Sequence, residues 1–204
     1  MKNDRELKAE LVTLEQVYET CFRLAHKISS KGLSFDIVIA IARGGFPPAR
    51  FLCDFLNIEI LHSLQVSHYS SGAQKKEKAY ILSEDTGDIK DKRILLVDDV
   101  NDTGMSLRAA YDSLEKAEKV STAVMHEKET TGFRAAFAGE GLEEWKWLIY
   151  PWAVTEDLLE FLDKGDMLDA EPGRARRFLK DKYDLHIEDK QLKNVLSFRS
   201  SYKK

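Results

Sequence analysis

Two short segments of this chain are apolar at every position, and each runs directly into a turn. The first is Ile37–Ala42 and the second is Ile94–Val97. A strand with no polar face is expected in a sheet that is covered on both sides, as in parallel α/β proteins. Segments in which apolar residues recur at helical spacing, 14–28 and 107–117, alternate with these strands. The order predicts an α/β fold with a parallel central sheet and helices on both faces.

The pattern changes after residue 157, because helical patterns then follow one another without strands between them. These patterns lie at Leu158–Leu162, Arg174–Tyr183 and Asp189–Phe198. We therefore expect a main domain over 1–157, which carries the functional site, and a small helical C-terminal extension over 158–204.

Charge is distributed unevenly between these two parts. Residues 164–204 carry 11 basic and 7 acidic side chains, whereas residues 1–163 carry 20 basic and 28 acidic ones. A basic tail on an acidic body either docks on that body or binds a polyanion. The apolar pattern that the tail retains favours docking.

Composition excludes several classes of protein. The longest apolar run, Ile37–Ala42, is far shorter than the roughly 20 residues that span a bilayer. The N-terminal residues are highly charged, so neither a signal peptide nor an anchor is expected. The two cysteines, Cys21 and Cys53, form no CxxC pair, which argues against a disulfide scaffold or a cysteine zinc site. The chain is therefore predicted to be cytoplasmic and not to bind membranes.

The turn after the second apolar strand, Asp98–Ser106, combines two kinds of ligand-binding group. Its glycine, hydroxyls and backbone amides at a helix N-terminus suit a phosphate group. Asp98 and Asp99 suit vicinal hydroxyls and a divalent cation, held directly or through water. A ribose 5-phosphate satisfies both ends. The GxxxxGK[ST] loop of a phosphate-loop NTPase and the dinucleotide motif GxGxxG are both absent, and a solvated turn with ordinary capping is the remaining alternative.

The segment Ile94–Ser106 resembles the diphosphosugar-binding signature of the type I phosphoribosyltransferases, and the resemblance extends more loosely over 36–157. It implies that Asp98 and Asp99 hold the 2- and 3-hydroxyls of phosphoribosyl pyrophosphate (PRPP), with Mg²⁺ as cofactor. The residues implied to wrap the 5-phosphate are Asp102, Thr103, Gly104, Met105 and Ser106. In purine-specific members the residue at Asp102 also lies near N7 of the base, which makes it the implied proton acceptor or donor.

The turn after the first strand, Ala42–Gly45, matches the pyrophosphate-binding loop of that family. Glycine lets backbone amides approach an anion closely, and Arg43 adds a fixed positive charge that would stabilise the departing pyrophosphate. The resemblance implies a pyrophosphate site at Ala42, Arg43 and Gly44 and a cis peptide bond at Ala42–Arg43. The alternative is a tight strand-to-helix turn without a ligand.

A polar segment at Ser67–Lys78 occupies the place of the family's flexible catalytic loop. It contains Tyr69, which we assign to the pyrophosphate site, together with His68, Lys75, Lys76 and Lys78. Closing such a loop would exclude water from a reactive sugar cation. A charged loop that is simply solvated is the alternative.

Two residues are candidates for binding the base. Trp147 lies in the aromatic segment Trp145–Trp152 and resembles the residue that stacks on the purine in related enzymes. Lys128 stands where a lysine donates to O6 in 6-oxopurine enzymes. The alternatives are a packed aromatic strand for Trp147, and for Lys128 a surface ion pair with Glu127 or Glu129.

Together these features predict a purine phosphoribosyltransferase that binds PRPP and a purine base. Lys128 favours a 6-oxopurine, and the C-terminal extension leaves adenine open. Family resemblance implies a homo-oligomer, either a dimer or a tetramer. Two alternatives stay open. One is a PRPP-sensing regulator without catalysis, whose basic tail (Arg174, Arg176 and Arg177) contacts nucleic acid, although nucleic acid is not the expected partner. The other is a phosphoribosyltransferase for a pyrimidine or orotate base.

Overall fold

The computed structural model describes residues 7–71 and 76–202, without the side chains of 69–71 and 76–78. The strands are β1 (Ala9–Leu11), β2 (Ile37–Ala42), β3 (Leu61–Ser71), β4 (Lys76–Asp85), β5 (Arg93–Asn101), β6 (Lys119–Lys128), β7 (Phe137–Leu142) and β8 (Trp147–Ile149). The helices are α1 (Leu14–Ser29), α2 (Phe46–Leu56), α3 (Met105–Ser113), α4 (Val154–Lys164), α5 (Pro172–Tyr183) and α6 (Asp189–Ser197), followed by a 3-10 turn at Arg199–Ser201.

The chain separates into two compact units. The larger unit is Glu15–Glu144, and the smaller one joins the described residues up to Leu14 to those from Trp145 onward. The residues 145–157, which the sequence groups with the main domain, thus belong structurally to the smaller unit. The division of function between 1–157 and 158–204 stays a prediction.

The larger unit is built on a six-stranded sheet in the order β4-β3-β2-β5-β6-β7. All neighbouring strands are parallel except β3 and β4, which are antiparallel. The central strands β2 and β5 are buried along their apolar residues. One face packs under α1 and α2 through residues such as Leu24 and Leu52, and the other packs under α3 through residues such as Leu107. The predicted parallel α/β fold is confirmed.

The polar segment Ser67–Lys78 differs from the loop that its composition predicts. Its described backbone is part of a hairpin, since Ser67 pairs with Tyr80 and Tyr69 pairs with Lys78 across β3 and β4. Polar residues are tolerated there because this hairpin forms the edge of the sheet, where one face is open to water. Lys75 lies outside the described residues, and the side chains of Tyr69, Lys76 and Lys78 are likewise not described.

The smaller unit has its own sheet and its own core. Strand β8 pairs in parallel with β1, at Ala9 with Trp147, so the aromatic segment Trp145–Trp152 contributes its strand to a two-stranded sheet and not to the central one. The predicted C-terminal helices are confirmed, and they bury apolar residues of all three helices around Phe161 and Tyr183, whose rings stack at 4.1 Å. Among the described residues, no helix has the length and apolar character needed to cross a membrane.

Candidate functional site

Two adjacent carboxylates, Asp98 and Asp99, lie near the C-terminal end of strand β5. Asp98 is buried and Asp99 is half-buried, with the Asp99 amide donating to Asp98 Oδ1 at 2.9 Å. The amide of Val100 in turn donates to Asp99 Oδ1 at 2.8 Å. Burial, and secondly the neighbouring charge of Asp99, raise the pKa of the Asp98 carboxyl well above its usual range. A bound cation or hydroxyl donors would therefore stabilise the ionised form of the Asp98 carboxyl.

The turn that follows β2 lies directly against these acids. Parallel pairing sets Ala40 opposite Val97, so both strands end at the same edge of the sheet. A Cβ built on Gly44 would lie only 2.2 Å from Asp99 Oδ2, so a side chain there would displace the Asp99 carboxylate. The predicted cis peptide bond at Ala42–Arg43 is confirmed. The structure thus brings the predicted pyrophosphate loop onto the predicted diol site, with Arg43 exposed beside it.

The turn Asp102–Ser106 bends through Gly104, whose φ of 86° is unfavourable for any residue with a side chain. A Cβ at that position would also lie 2.6 Å from the amide nitrogen of Phe133. Helix α3 begins at Met105, so its first amides face this turn. Ser106 Oγ is 2.9 Å from Nε2 of His68, an exposed residue of β3. The arrangement matches a phosphate cradle.

Lys128 and Asp102 form an ion pair at 2.8 Å between Nζ and Oδ2. Lys128 is the last residue of β6, and its side chain is only 5% exposed, whereas that of Asp102 is 36% exposed. The hydroxyl of Thr130 also donates to Asp102, at 3.2 Å to the carbonyl and 3.3 Å to Oδ1. The alternative of a surface ion pair with Glu127 or Glu129 is therefore wrong, because the ammonium is buried and its partner is Asp102.

Three further residues at this edge of the sheet, Asn101, Glu127 and Arg134, have no functional role predicted from the sequence. Glu127 is buried beside Lys128, and its carboxylate accepts hydrogen bonds from Asn101 and Arg134. The available signal is an acidic residue two positions after the apolar run Ala123–Met125 of β6, which is unusual for a buried strand. From the sequence, Glu127 is expected only as a surface partner for Lys128.

Trp147 belongs to the smaller unit and is 37% exposed. Its ring packs edge-on against Phe161 with centroids 6.3 Å apart, and its amide donates to the Lys8 carbonyl at 2.9 Å. The packed-strand alternative therefore accounts for part of its surface, and its role as a platform for the base stays a prediction.

The described residues contain no group of three or more histidine, cysteine, aspartate or glutamate side chains that could close around a metal. Asp98 and Asp99 thus offer two oxygen ligands rather than a complete site. A hard divalent cation bound there would take its remaining ligands from substrate and water.

Comparison with known proteins gives consistent results. The sequence model for the phosphoribosyl transferase domain matches residues 9–148. Bifunctional protein PyrR from Clostridium novyi is 31% identical over 120 residues, which cover 54% of this chain and 67% of that protein. Xanthine-guanine phosphoribosyltransferase from Roseobacter denitrificans is 26% identical over 160 residues, 73% of this chain and 88% of that protein. A purine phosphoribosyltransferase from Pyrococcus horikoshii superposes with a TM-score of 0.61 at 32% identity, covering 72% of this chain and 94% of the other.

Proposed function

The chain belongs to the phosphoribosyl transferase domain family, of the type I fold, and from this premise we propose that it is a purine phosphoribosyltransferase. The bond between C1 of PRPP and the pyrophosphate oxygen breaks, and a bond from C1 to N9 of a free purine forms. The products are the nucleoside monophosphate and pyrophosphate, and the purine gives up one proton. The observation that carries the purine assignment is the ion pair between the buried Lys128 and Asp102 beside the phosphate turn.

The phosphate turn supports binding of the sugar at its 5-phosphate. A phosphate dianion accepts hydrogen bonds from the backbone amides at the start of α3 and from the hydroxyls of Thr103 and Ser106. Gly104 keeps the backbone free of a side chain at the tightest point of this turn. Asp98 and Asp99 accept from the ribose hydroxyls, so that C1 is held in a fixed position for attack.

The carboxylate pair also fits Mg²⁺. Oxygen ligands suit this ion, and the raised pKa of Asp98 marks a site where added positive charge is favourable. When bound, Mg²⁺ would offset the charge that develops on the departing pyrophosphate. Arg43 and the amides around Gly44 supply the protein's own contribution to the same charge.

Lys128 and Asp102 together favour a 6-oxopurine. An ammonium group donates to the O6 carbonyl, whereas the 6-amino group of adenine is itself a donor and offers no acceptor for the ammonium hydrogens that Asp102 does not bind. Asp102 is the more exposed partner and takes the proton that the base releases. Stacking on Trp147 would add affinity without choosing between purines.

The test is pyrophosphate release from PRPP and Mg²⁺ with hypoxanthine, guanine, xanthine or adenine, with uracil and orotate as competing candidates. Release with a 6-oxopurine is expected, and release with orotate or uracil alone would assign a different base. Asp102→Asn keeps an acceptor for Lys128 Nζ and should lower kcat while leaving PRPP affinity nearly unchanged. Asp112→Asn, which removes an exposed carboxylate of the same helix region, is the control and should change neither. Equal losses of kcat and PRPP affinity in Asp102→Asn would contradict its proposed role.

We further propose that the protein acts in the cytoplasm as a dimer or tetramer. Light scattering coupled to gel filtration measures the oligomeric state, and a monomer at micromolar concentration would contradict this.

A second function is favoured by one observation in the smaller unit. Arg176, Arg177 and Lys180 lie on one face of α5 and line a cavity of about 590 Å³ with His186. A PRPP-sensing regulator that contacts nucleic acid would use this face. RNA binding that weakens steeply with salt, and is lost in Arg177→Glu, would support it, since each phosphate contact releases counterions. Absence of salt-dependent binding would remove it.

A further inference from the structure

Glu127 is a buried carboxylate with a full set of hydrogen-bond donors. The residue is 8% exposed and is the second-last residue of β6. Its Oε1 accepts from Asn101 Nδ2 at 3.0 Å and from the Ala135 amide at 2.7 Å, and its Oε2 accepts from Arg134 Nη1 at 3.2 Å. A buried carboxylate is costly unless such partners compensate for lost water. The groups that Glu127 holds together therefore indicate why a carboxylate is buried here.

These contacts join the strand ends that carry Asp102 and Lys128. The register of β5 and β6 pairs Asn101 directly with Glu127. The next residue of each strand is a member of the ion pair, Asp102 after Asn101 and Lys128 after Glu127. The Asn101–Glu127 hydrogen bond is thus the last side-chain link between the two strands before the pair itself.

The same carboxylate fixes the segment that packs on the phosphate turn. Asn101 Nδ2 also donates to the Phe133 carbonyl at 2.8 Å, and Arg134 Nη2 donates to the Glu129 carbonyl at 3.2 Å. Within this segment the Gly132 amide donates to the Thr103 carbonyl at 3.0 Å. The carboxylate therefore restrains the residues on both sides of Asp102.

We propose that Glu127 is a positioning residue: it holds Asp102 and Lys128 at the separation needed to receive the proton from the base and to donate to O6. This inference rests on the proposed function for its kinetic consequence, although not for its structural one. Glu127 itself does not contact the substrate, because its oxygens are already occupied by Asn101, Ala135 and Arg134.

The test compares four full-length proteins: wild type, Glu127→Ala, Glu127→Gln and the control Glu129→Gln. Glu127→Ala removes the acceptor of the Ala135 amide and one of the two acceptors of Asn101 Nδ2, which keeps only the Phe133 carbonyl. We expect the Nζ–Oδ2 distance to open beyond 4 Å in its crystal structure, with kcat lowered about tenfold or more and KM for PRPP changed less than threefold. Glu127→Gln keeps one acceptor oxygen and should retain both the pair and kcat within about threefold. Glu129 is exposed, and its variant should match wild type.

An intact ion pair or an unchanged kcat in folded Glu127→Ala overturns the proposal, as does failure of Glu127→Gln to rescue. If Glu127 had only a structural role, Glu127→Ala would lower the melting temperature without the selective fall in kcat relative to KM for PRPP. Should Glu127→Ala not fold, Arg134→Gln, at a side chain that is 57% exposed, is judged on the same two readouts with an expected fall in kcat of about threefold or more. If wild type releases no pyrophosphate with any base, the proposed function fails, and the crystallographic distance alone decides whether Glu127 positions the pair.

Discussion

Replacing Gly44 with alanine perturbs the site by a distance that the structure fixes. The added Cβ would lie 2.2 Å from Asp99 Oδ2, and ordinary van der Waals contact begins at 3.4 Å, so the carboxylate must move about 1.2 Å. A displacement of about 1 Å in a positioned group costs on the order of 100-fold in rate, or about 2.7 kcal/mol of transition-state stabilisation. Gly44 has no positive φ, so alanine imposes no backbone strain.

The assay is steady-state pyrophosphate release, together with thermal unfolding of both proteins. We expect kcat/KM for PRPP to fall about 100-fold, with the melting temperature nearly unchanged because Asp99 is half-buried and can shift. Gly141→Ala is the matched control, since a Cβ there meets nothing within 4 Å. A Gly44→Ala enzyme with wild-type kinetics would refute the reasoning that the two turns form one site, and an equal loss in Gly141→Ala would refute the geometric cause.

Three other substitutions or reactions test separate parts of the account. Asp98→Asn should abolish turnover. In metal-free buffer it should also raise the melting temperature more at pH 8 than at pH 5, because folding raises the pKa of Asp98 and the ionised carboxylate therefore destabilises the folded state above the unfolded pKa. A melting temperature at pH 8 equal to or lower than that of wild type contradicts this. Lys128→Met should raise KM for a 6-oxopurine about tenfold or more with KM for PRPP unchanged, and unaltered purine kinetics would contradict the O6 contact. Burial raises the pKa of Cys21 to about 12 and also raises that of Cys53, so a thiol reagent at pH 8 should react only after denaturation; rapid reaction of the native protein contradicts it.

The parts of the fold that local sequence determines were predictable. Strand β2 and the Ile94–Val97 part of β5 are apolar at every position, and the segment after each is determined by its own glycines and acids. By contrast, β7 contains Gly139 and Gly141, and because glycine is unfavourable in strands its sequence does not predict one. Glycine is required at position 139 because Thr20 of α1 packs so close that a Cβ there would lie 2.6 Å from the Thr20 methyl group. Such a constraint comes from a neighbour more than 100 residues away and has no local signal.

The same distinction holds for the candidate site. The signature residues 98–106 are contiguous, so their chemistry is legible in the sequence. The partnership of Lys128 with Asp102 joins residues 26 positions apart and depends on the register of β5 with β6. The pairing of β1 with β8 likewise joins distant segments, as in the Lys146–Glu10 ion pair, and it places Trp147 in a sheet other than the central one.

The central claim is that this chain forms a bond between ribose C1 and a purine nitrogen. The most direct measurement is mass-spectrometric detection of nucleoside monophosphate after incubation with PRPP, Mg²⁺ and each of the four purines, with pyrophosphate quantified in the same sample. The account predicts equimolar nucleotide and pyrophosphate with a 6-oxopurine, and none from Asp98→Asn. If the folded protein formed no nucleoside monophosphate with any of the four purines, the claim would be contradicted.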